Sequence, residues 1–216
     1  MRRILIGRGI LIGLALALAA LPASAQAPSP EWERCSGTGS GAAIPPEALV
    51  GNCTQLIQSG RLSTAELASA YYYRANAEGG HQYDQAIADY TQAIQLKPDF
   101  AVAFFERGAN YVGKRLFDQA ISDYTQAIRL KPDYASAYNY RAWAYHRKGE
   151  DANGLPDAEK AVAMAPDDAD SIETRGEIYE QLGRRDQALA DYRRALQLDP
   201  NNGFAKQAMS RLGVAP

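Results

Sequence analysis

Apolar and small residues recur along this chain with helical spacing, in a pattern that repeats every 34 residues. The pattern is clearest in YDQAIADYTQAIQLKPDF, at residues 83–100, and in FDQAISDYTQAIRLKPDY, at residues 117–134. Looser copies are DANGLPDAEKAVAMAPDD, at residues 151–168, and RDQALADYRRALQLDPNN, at residues 185–202. In each copy the small and aromatic positions share one helical face, and a proline follows the helix or ends it. A fixed period of this length predicts a solenoid of stacked helical repeats.

A further helical segment precedes each copy, so each repeat is predicted to be a pair of helices. In the second repeat the first helix is predicted over residues 101–114, and the second starts near Asp118 after a short turn. We expect Asp118 to cap that helix and Asp133 to cap the next, because aspartate accepts hydrogen bonds from the free amides of a first turn. Gly108 is predicted at the closest approach of the pair, where Tyr124 fills the seam between the two helices.

Charged residues recur with the same period on both helices of the repeats. The arginines of the first helices are Arg74, Arg107, Arg141 and Arg175, and the aspartates of the second helices are Asp89, Asp123, Asp157 and Asp191. We interpret them as a ladder of structural ion pairs within or between neighbouring repeats. Partly exposed pairs of this kind contribute about 0–1 kcal/mol each.

The repeated pattern resembles the tetratricopeptide repeat family. Units of that family share this length, a Gly or Ala followed by Tyr in the first helix, an Ala-Phe/Tyr-Ala pattern in the second helix, and a terminal proline. The resemblance covers about residues 68–202 as four repeats, and the Ala-Ile-x-Asp-Tyr motif is similar to that of exported bacterial members. It implies an all-α fold, a right-handed superhelical α-solenoid of four helix-turn-helix repeats with an N-terminal helix and a C-terminal capping helix.

The chain divides into five predicted segments. These are a signal peptide at 1–25, a flexible arm at 26–46, an N-terminal helix at 47–62, four repeats at 63–202 and a C-terminal capping helix at 203–216. The first segment has a basic start, an apolar run and the small-residue cleavage pattern Ala23-Ser24-Ala25. An uncleaved membrane anchor is the alternative, but the apolar run is shorter than the roughly 20 residues of a spanning helix. Ser63 and Glu66 predict a capping box at the start of the repeats.

The chain contains two cysteines, Cys35 in the predicted arm and Cys53 in the predicted N-terminal helix. In the oxidising compartment that an export signal implies, two cysteines generally pair. We therefore predict a disulfide between them rather than two free thiols. Closing this loop would contribute about 3 kcal/mol and would tie the arm to the helix.

Composition and charge argue against several classes of protein. The first 25 residues carry three arginines, so their removal changes the formal net charge from −2 to −5, and no basic cluster predicts a nucleic-acid partner. Neither histidine stands in a recognisable catalytic motif, so we predict neither an enzyme nor a cofactor. Asp167, Asp168 and Asp170 are interpreted as capping residues rather than metal ligands. We predict no metal site and no membrane insertion after signal cleavage.

The resemblance implies that the first helices line a concave groove. The groove residues predicted to contact a partner are Tyr72, Asn76, Val102, Phe105, Asn139, Trp143, His146, Arg147, Glu173 and Glu177. Phe105 and Trp143 favour binding if they are open to the groove, and the alternative is that neighbouring helices partly cover them. The acidic residues of the fourth repeat, which include Glu173 and Glu177, either contact a partner or only form a solvated face of the helix. The lysine, asparagine and arginine clamp with which some relatives hold a terminal carboxylate is absent.

The sequence predicts a protein–protein interaction module or scaffold of the bacterial cell envelope that binds a peptide or protein segment in the groove. The alternative is a structural, self-associating solenoid that acts in assembly of an envelope complex. We expect a protein partner, a monomer or weak homo-oligomer, and an exported protein of the periplasm or the medium.

Overall fold

The computed structural model describes residues 29–38, 43–78 and 82–215, which form eleven α-helices and no strand. The predicted signal peptide lies outside these residues. The first six helices are α1 Pro30–Ser36, α2 Pro46–Gln58, α3 Thr64–Glu78, α4 Tyr83–Leu96, α5 Ala101–Gly113 and α6 Phe117–Leu130. The other five are α7 Ala135–Arg147, α8 Asp151–Met164, α9 Ala169–Gln181, α10 Arg185–Leu198 and α11 Gly203–Arg211.

Four consecutive helix pairs form the predicted repeats: α3 with α4, α5 with α6, α7 with α8, and α9 with α10. Within a repeat the two helices pack against each other, and each second helix also packs against the first helix of the next repeat. The final helix, α11, buries Ala205, Ala208 and Met209 against the fourth repeat. The predicted all-α solenoid is therefore confirmed.

The seam inside each repeat depends on a small residue facing a large one. A Cβ atom placed on Gly108 would lie 2.8 Å from Cε1 of Tyr124, which is fully buried. Gly176 stands in the same relation to Tyr192 in the fourth repeat. Non-bonded heavy atoms prefer about 3.5–4.0 Å, so only glycine fits opposite these rings without displacement.

Two of the expected helix caps are present and two are not. The amide of Ser63 donates to Oε2 of Glu66 at 2.8 Å, the amide of Glu66 donates back to Oγ of Ser63, and Asp168 caps α9 by accepting from the amide of Ser171. The predictions for Asp118 and Asp133 were wrong, since neither α6 nor α7 has a side-chain cap.

Asp118 and Asp133 do not cap these helices because of where α6 and α7 begin. The helix α6 starts one residue before Asp118, so this carboxylate lies inside the first turn. It accepts instead from Nζ of Lys148 in the next repeat, at 2.7 Å. Asp133 lies two residues before α7, and the capping position belongs to Tyr134.

The arm predicted between residues 26 and 46 contains a helix, so the expectation of an extended segment was wrong for residues 30–36. Oγ of Ser29 accepts from the amide of Trp32 at 3.2 Å and caps α1. Trp32 packs edge-on against Tyr73, and the sulfur atoms of Cys35 and Cys53 lie 2.09 Å apart, at disulfide distance. These contacts hold the short helix against α2 and α3, which a Pro- and Gly-rich sequence does not reveal.

The predicted ion pairs form a ladder that also joins successive repeats. The guanidinium of Arg107 binds both carboxylate oxygens of Asp123, at 2.7 and 2.8 Å, and donates to Oγ1 of Thr91 in the preceding repeat at 3.0 Å. Equivalent pairs are Arg74–Asp89, Arg141–Asp157 and Arg175–Asp191. Only 6% of the Asp123 side chain and 15% of the Arg107 side chain are exposed, so this pair is more buried than the sequence led us to expect.

The same ladder explains the position of the N-terminal helix. Arg74 in the first repeat donates to Oγ1 of Thr54 in α2, just as Arg107 donates to Thr91. The helix α2 therefore stands where the second helix of a preceding repeat would stand. Cys53 precedes Thr54 as Tyr90 precedes Thr91, so Cys53 stands at the position that three of the four repeats fill with tyrosine.

Candidate functional site

The first helices of the last three repeats surround a cavity of about 300 Å³, referred to below as the α7–α9 cavity. Its lining residues are Val112 from α5, Asn139, Tyr140 and Trp143 from α7, and Asp170, Glu173, Thr174 and Glu177 from α9. Successive lining positions are three or four residues apart on each helix, or adjacent at the edge, so they share one helical face. The cavity is thus formed by the face that was predicted to line the groove.

Asn139 and Thr174 are the two buried polar residues of this lining. Asn139 is only 5% exposed, and its Oδ1 atom accepts no hydrogen bond within the described part of the chain. A buried acceptor without a donor costs about 1–3 kcal/mol.

Trp143 lies against the cavity and is partly covered by its neighbours. Its ring packs edge-on against Phe117 at a centroid distance of 6.4 Å, and the guanidinium of Arg147 lies 5.2 Å from its centroid. The remaining ring surface lines the cavity beside Asn139. The expected aromatic contact surface is therefore present but smaller than a fully open tryptophan would offer.

The carboxylates of α9 differ in how far they are already engaged. Glu180 accepts two hydrogen bonds from Arg211, each at 2.8 Å, and a third from the hydroxyl of Tyr192. Glu173 accepts from Nδ2 of Asn202 at 2.9 Å. Glu177 has neither an ion pair nor a hydrogen bond to its side chain among the described residues.

Burial changes the acidity of the two glutamates that line the cavity. It raises the pKa of Glu177, an effect that the nearby His146 only partly offsets. Burial also raises the pKa of Glu173, and the hydrogen bond from Asn202 opposes that shift. Both carboxylates are thus held in a poorly solvated environment, where a cation would stabilise their charged forms.

Matches to known proteins cover most of the repeat region. A family model described as TPR repeat matches residues 81–114 and 117–149, and a model described as tetratricopeptide repeat matches residues 173–202. The Arabidopsis OM64 TPR domain is 31% identical, with a TM-score of 0.51, and the match covers 52% of this chain and 93% of that domain. This chain belongs to the tetratricopeptide repeat family.

Two other solved TPR structures show how such proteins can bind. The first TPR of Spaghetti (RPAP3), in a structure with a bound HSP90 peptide, is 29% identical with a TM-score of 0.51, covering 52% of this chain and 90% of that one. YrrB, described as a TPR protein with an unusual peptide-binding site, is 19% identical with a TM-score of 0.65, covering 76% and 84%. At that identity the likeness to YrrB shows the fold alone. No curated protein matches this chain.

Membership of the TPR family agrees with the class of function predicted. TPR repeats generally mediate protein–protein interaction and peptide binding, and members of the family are typically not enzymes. Within the described residues no three His, Cys, Asp or Glu side chains are grouped so as to hold a metal ion. None of the helices placed by the structure has the length and apolar character needed to cross a membrane.

The predicted TPR groove residues fall into two groups. Asn139, Trp143, Glu173 and Glu177 come together around the α7–α9 cavity. The others lie outside its lining: Tyr72, Asn76, Val102, Phe105, His146 and Arg147.

Among these outer residues, several are already engaged with neighbours. Asn76 accepts a hydrogen bond from the hydroxyl of Tyr90. Nδ1 of His146 lies 2.6 Å from Oδ1 of Asp151, and Val102 is half-buried.

An aromatic cluster occupies the groove beside the first two repeats. Tyr72 packs against Phe100 at 5.1 Å between ring centroids, and Phe105 packs against Tyr134 at 4.9 Å and Tyr140 at 5.2 Å. Phe105 is therefore partly covered, which was the alternative to an open ring. Tyr140 also lines the α7–α9 cavity, so the aromatic cluster extends to the carboxylates of α9.

Sequence reasoning missed three residues of this surface: Tyr140, Thr174 and Glu106. Tyr140 and Thr174 directly follow Asn139 and Glu173, so each lies one helical position, about 100°, from a predicted groove residue. Burial raises the pKa of Glu106, and burial together with the proximity of Glu106 raises the pKa of Tyr134 to about 12. A predicted groove face that also included the position after each groove residue would have contained all three.

Proposed function

We propose that this protein is an interaction module of the bacterial cell envelope that binds an extended or helical protein segment in its groove. The carrying observation is the α7–α9 cavity, in which Trp143 lies beside the carboxylates of Asp170, Glu173 and Glu177. The HSP90 peptide bound by the first TPR of Spaghetti (RPAP3) supports the same use of the fold.

The cellular location is part of this proposal. A basic start, an apolar run and a small-residue cleavage pattern support export, and the cysteine pair at disulfide distance is compatible with an oxidising compartment. N-terminal sequencing of the protein from the periplasm or the medium should begin at Gln26. A mature chain that begins at Met1 in the cytoplasm would contradict export.

The groove is tested by comparing variants of the full mature chain against a partner captured from envelope extract. Trp143→Ala should weaken binding by roughly 2 kcal/mol, about 30-fold, because aromatic anchors dominate interface energies. Glu173→Gln should cost less, and its effect should fade at high salt, because partly exposed charges are screened. Lys160→Ala, at an exposed position of α8, is the matched control and should change nothing.

One result would refute binding of the partner in the groove. If Trp143→Ala and Glu173→Gln leave the affinity intact while Lys160→Ala abolishes binding, the partner uses the outer helices. Sedimentation addresses the structural alternative, because a self-associating solenoid requires association that grows with concentration. We propose a monomer or weak homo-oligomer, since α11 covers the end of the fourth repeat.

A further inference from the structure

The polar lining of the α7–α9 cavity consists mainly of hydrogen-bond acceptors. Asp170, Glu173 and Glu177 line it with carboxylates, and Asn139 lies beside them with its Oδ1 atom buried and unpartnered within the described residues. Arginine, lysine and histidine are absent from the residues that line it. The best-matched occupant is therefore a donor that carries positive charge.

The basic side chains near the cavity have contacts within the chain. Arg211 binds Glu180 with two hydrogen bonds, and His146 is paired with Asp151. Arg147 lies over the ring of Trp143 and forms no ion pair within the described residues. The carboxylate of Glu177 is thus left without a basic partner at salt-bridge distance in the part of the chain that is described.

The apolar part of the lining suits the stem of a long cationic side chain. Val112, Tyr140 and Trp143 form the apolar part of the lining, and lysine and arginine side chains cover such surfaces with their methylene groups. A guanidinium or ammonium can also lie against the ring of Trp143. Apolar walls and an acceptor-rich end are thus combined in one cavity of about 300 Å³.

We propose that the α7–α9 cavity accepts an arginine or lysine side chain of the bound segment. The stem packs against Val112, Tyr140 and Trp143, and the cationic group donates to the carboxylates of Glu173 and Glu177. This inference rests on the proposed groove function. It makes this site opposite in charge to one that holds a terminal carboxylate.

Fluorescence titration of Trp143 tests the proposal without a known partner. A Trp32→Phe background leaves Trp143 as the single tryptophan and keeps an aromatic ring beside Tyr73. The probes are butylguanidinium, its neutral counterpart butylurea, and a pentapeptide with a central arginine and both ends blocked. We expect saturable binding of butylguanidinium and of the peptide, about tenfold tighter than any binding of butylurea.

Variants then assign the binding to the named atoms. Glu177→Gln should weaken butylguanidinium binding about fivefold, whereas Asp186→Asn, the same charge change at an exposed position of α10, should leave it unchanged. Asn139→Leu should raise the melting temperature, because it removes a buried acceptor that lacks a donor. A purely structural role of Asn139 would instead lower the melting temperature.

Several outcomes would overturn the proposal. Equal binding of butylguanidinium and butylurea would exclude charge recognition, and the absence of saturable binding would exclude the site. Binding of free butylguanidinium but not of the blocked peptide would exclude a side chain as occupant. If the probes fail while Trp143→Ala still weakens the captured partner, the groove function stands and only this inference falls.

Discussion

Replacing Gly108 by alanine tests how the helices of a TPR repeat fit together. The new Cβ would lie 2.8 Å from Cε1 of Tyr124 and 3.1 Å from two further ring atoms. Tyr124 is fully buried, so its ring cannot turn away into solvent. The two helices must therefore separate, and overpacking of this kind costs about 1–3 kcal/mol.

The matched control is Gly51→Ala in the interior of α2. A Cβ atom at Gly51 would meet no other atom within 4 Å. Both substitutions gain the same intrinsic helix propensity, about 1 kcal/mol, so the difference between them isolates the contact with Tyr124. We expect Gly51→Ala to stabilise the protein by about 0.5–1 kcal/mol and Gly108→Ala to be neutral or destabilising by up to about 2 kcal/mol.

Thermal unfolding followed by circular dichroism measures both variants. For a chain of this size 1 kcal/mol corresponds to about 2–4 °C in Tm. A double-mutant cycle with Tyr124→Leu should remove the penalty of Gly108→Ala, because the clashing ring is then absent. The loss of folding free energy caused by Gly108→Leu should exceed that caused by Gly108→Ala. An increase in Tm for Gly108→Ala equal to that of Gly51→Ala would show that the two helices do not meet at this position.

Three further predictions concern the N-terminal unit, the ion-pair ladder and the groove carboxylates. Alkylation of unreduced mature protein should modify neither Cys35 nor Cys53 by mass spectrometry, and two modified thiols would disprove the bridge. Asp123→Asn should destabilise the protein by about 3–5 kcal/mol, because it leaves the largely buried Arg107 without its carboxylate. The control is Asp118→Asn at an exposed position, which should cost about 0–1 kcal/mol. Equal denaturation midpoints for the two variants would contradict this difference. Glu106→Gln should raise Tm at pH 7. Burial raises the pKa of Glu106 in the folded state, so the wild type loses stability as the pH rises from about 4.5 through that pKa. At pH 4 both states of the wild type are largely protonated, so the advantage should shrink, and a Tm gain that is constant with pH would refute the argument.

Much of the fold was predictable because TPR contacts are local. The tyrosine that fills the seam lies 16 residues after the glycine it faces in the second and fourth repeats, so the small and large partners appear together in one repeat. Where the third repeat has Ala158 at the tyrosine position, the residue at the glycine position is Ala142. Such compensation within one unit is visible without coordinates. The Arg–Asp ladder was predictable for the same reason.

The candidate site was predictable only in part. Helical spacing placed Asn139, Trp143, Glu173 and Glu177 on the inner face, which requires nothing beyond the 3.6-residue period. Spacing did not reveal that Asn139 is buried without a donor, or that Glu180 is neutralised by Arg211, 31 residues away in the capping helix. These properties depend on how closely α7 approaches α9, which belong to different repeats.

By itself the amino-acid sequence determined the repeat length, the helix pairs and the composition of each seam, because these follow from the helical period and from contacts within one repeating unit. The tertiary structure decided which inner-face residues surround a cavity, which carboxylates remain without partners, and that residues 30–36 form a helix. The stacking geometry of successive repeats controls those outcomes. It sets the distance between first helices and the packing of Trp32 against Tyr73, and both result from many side-chain contacts acting together rather than from any local pattern.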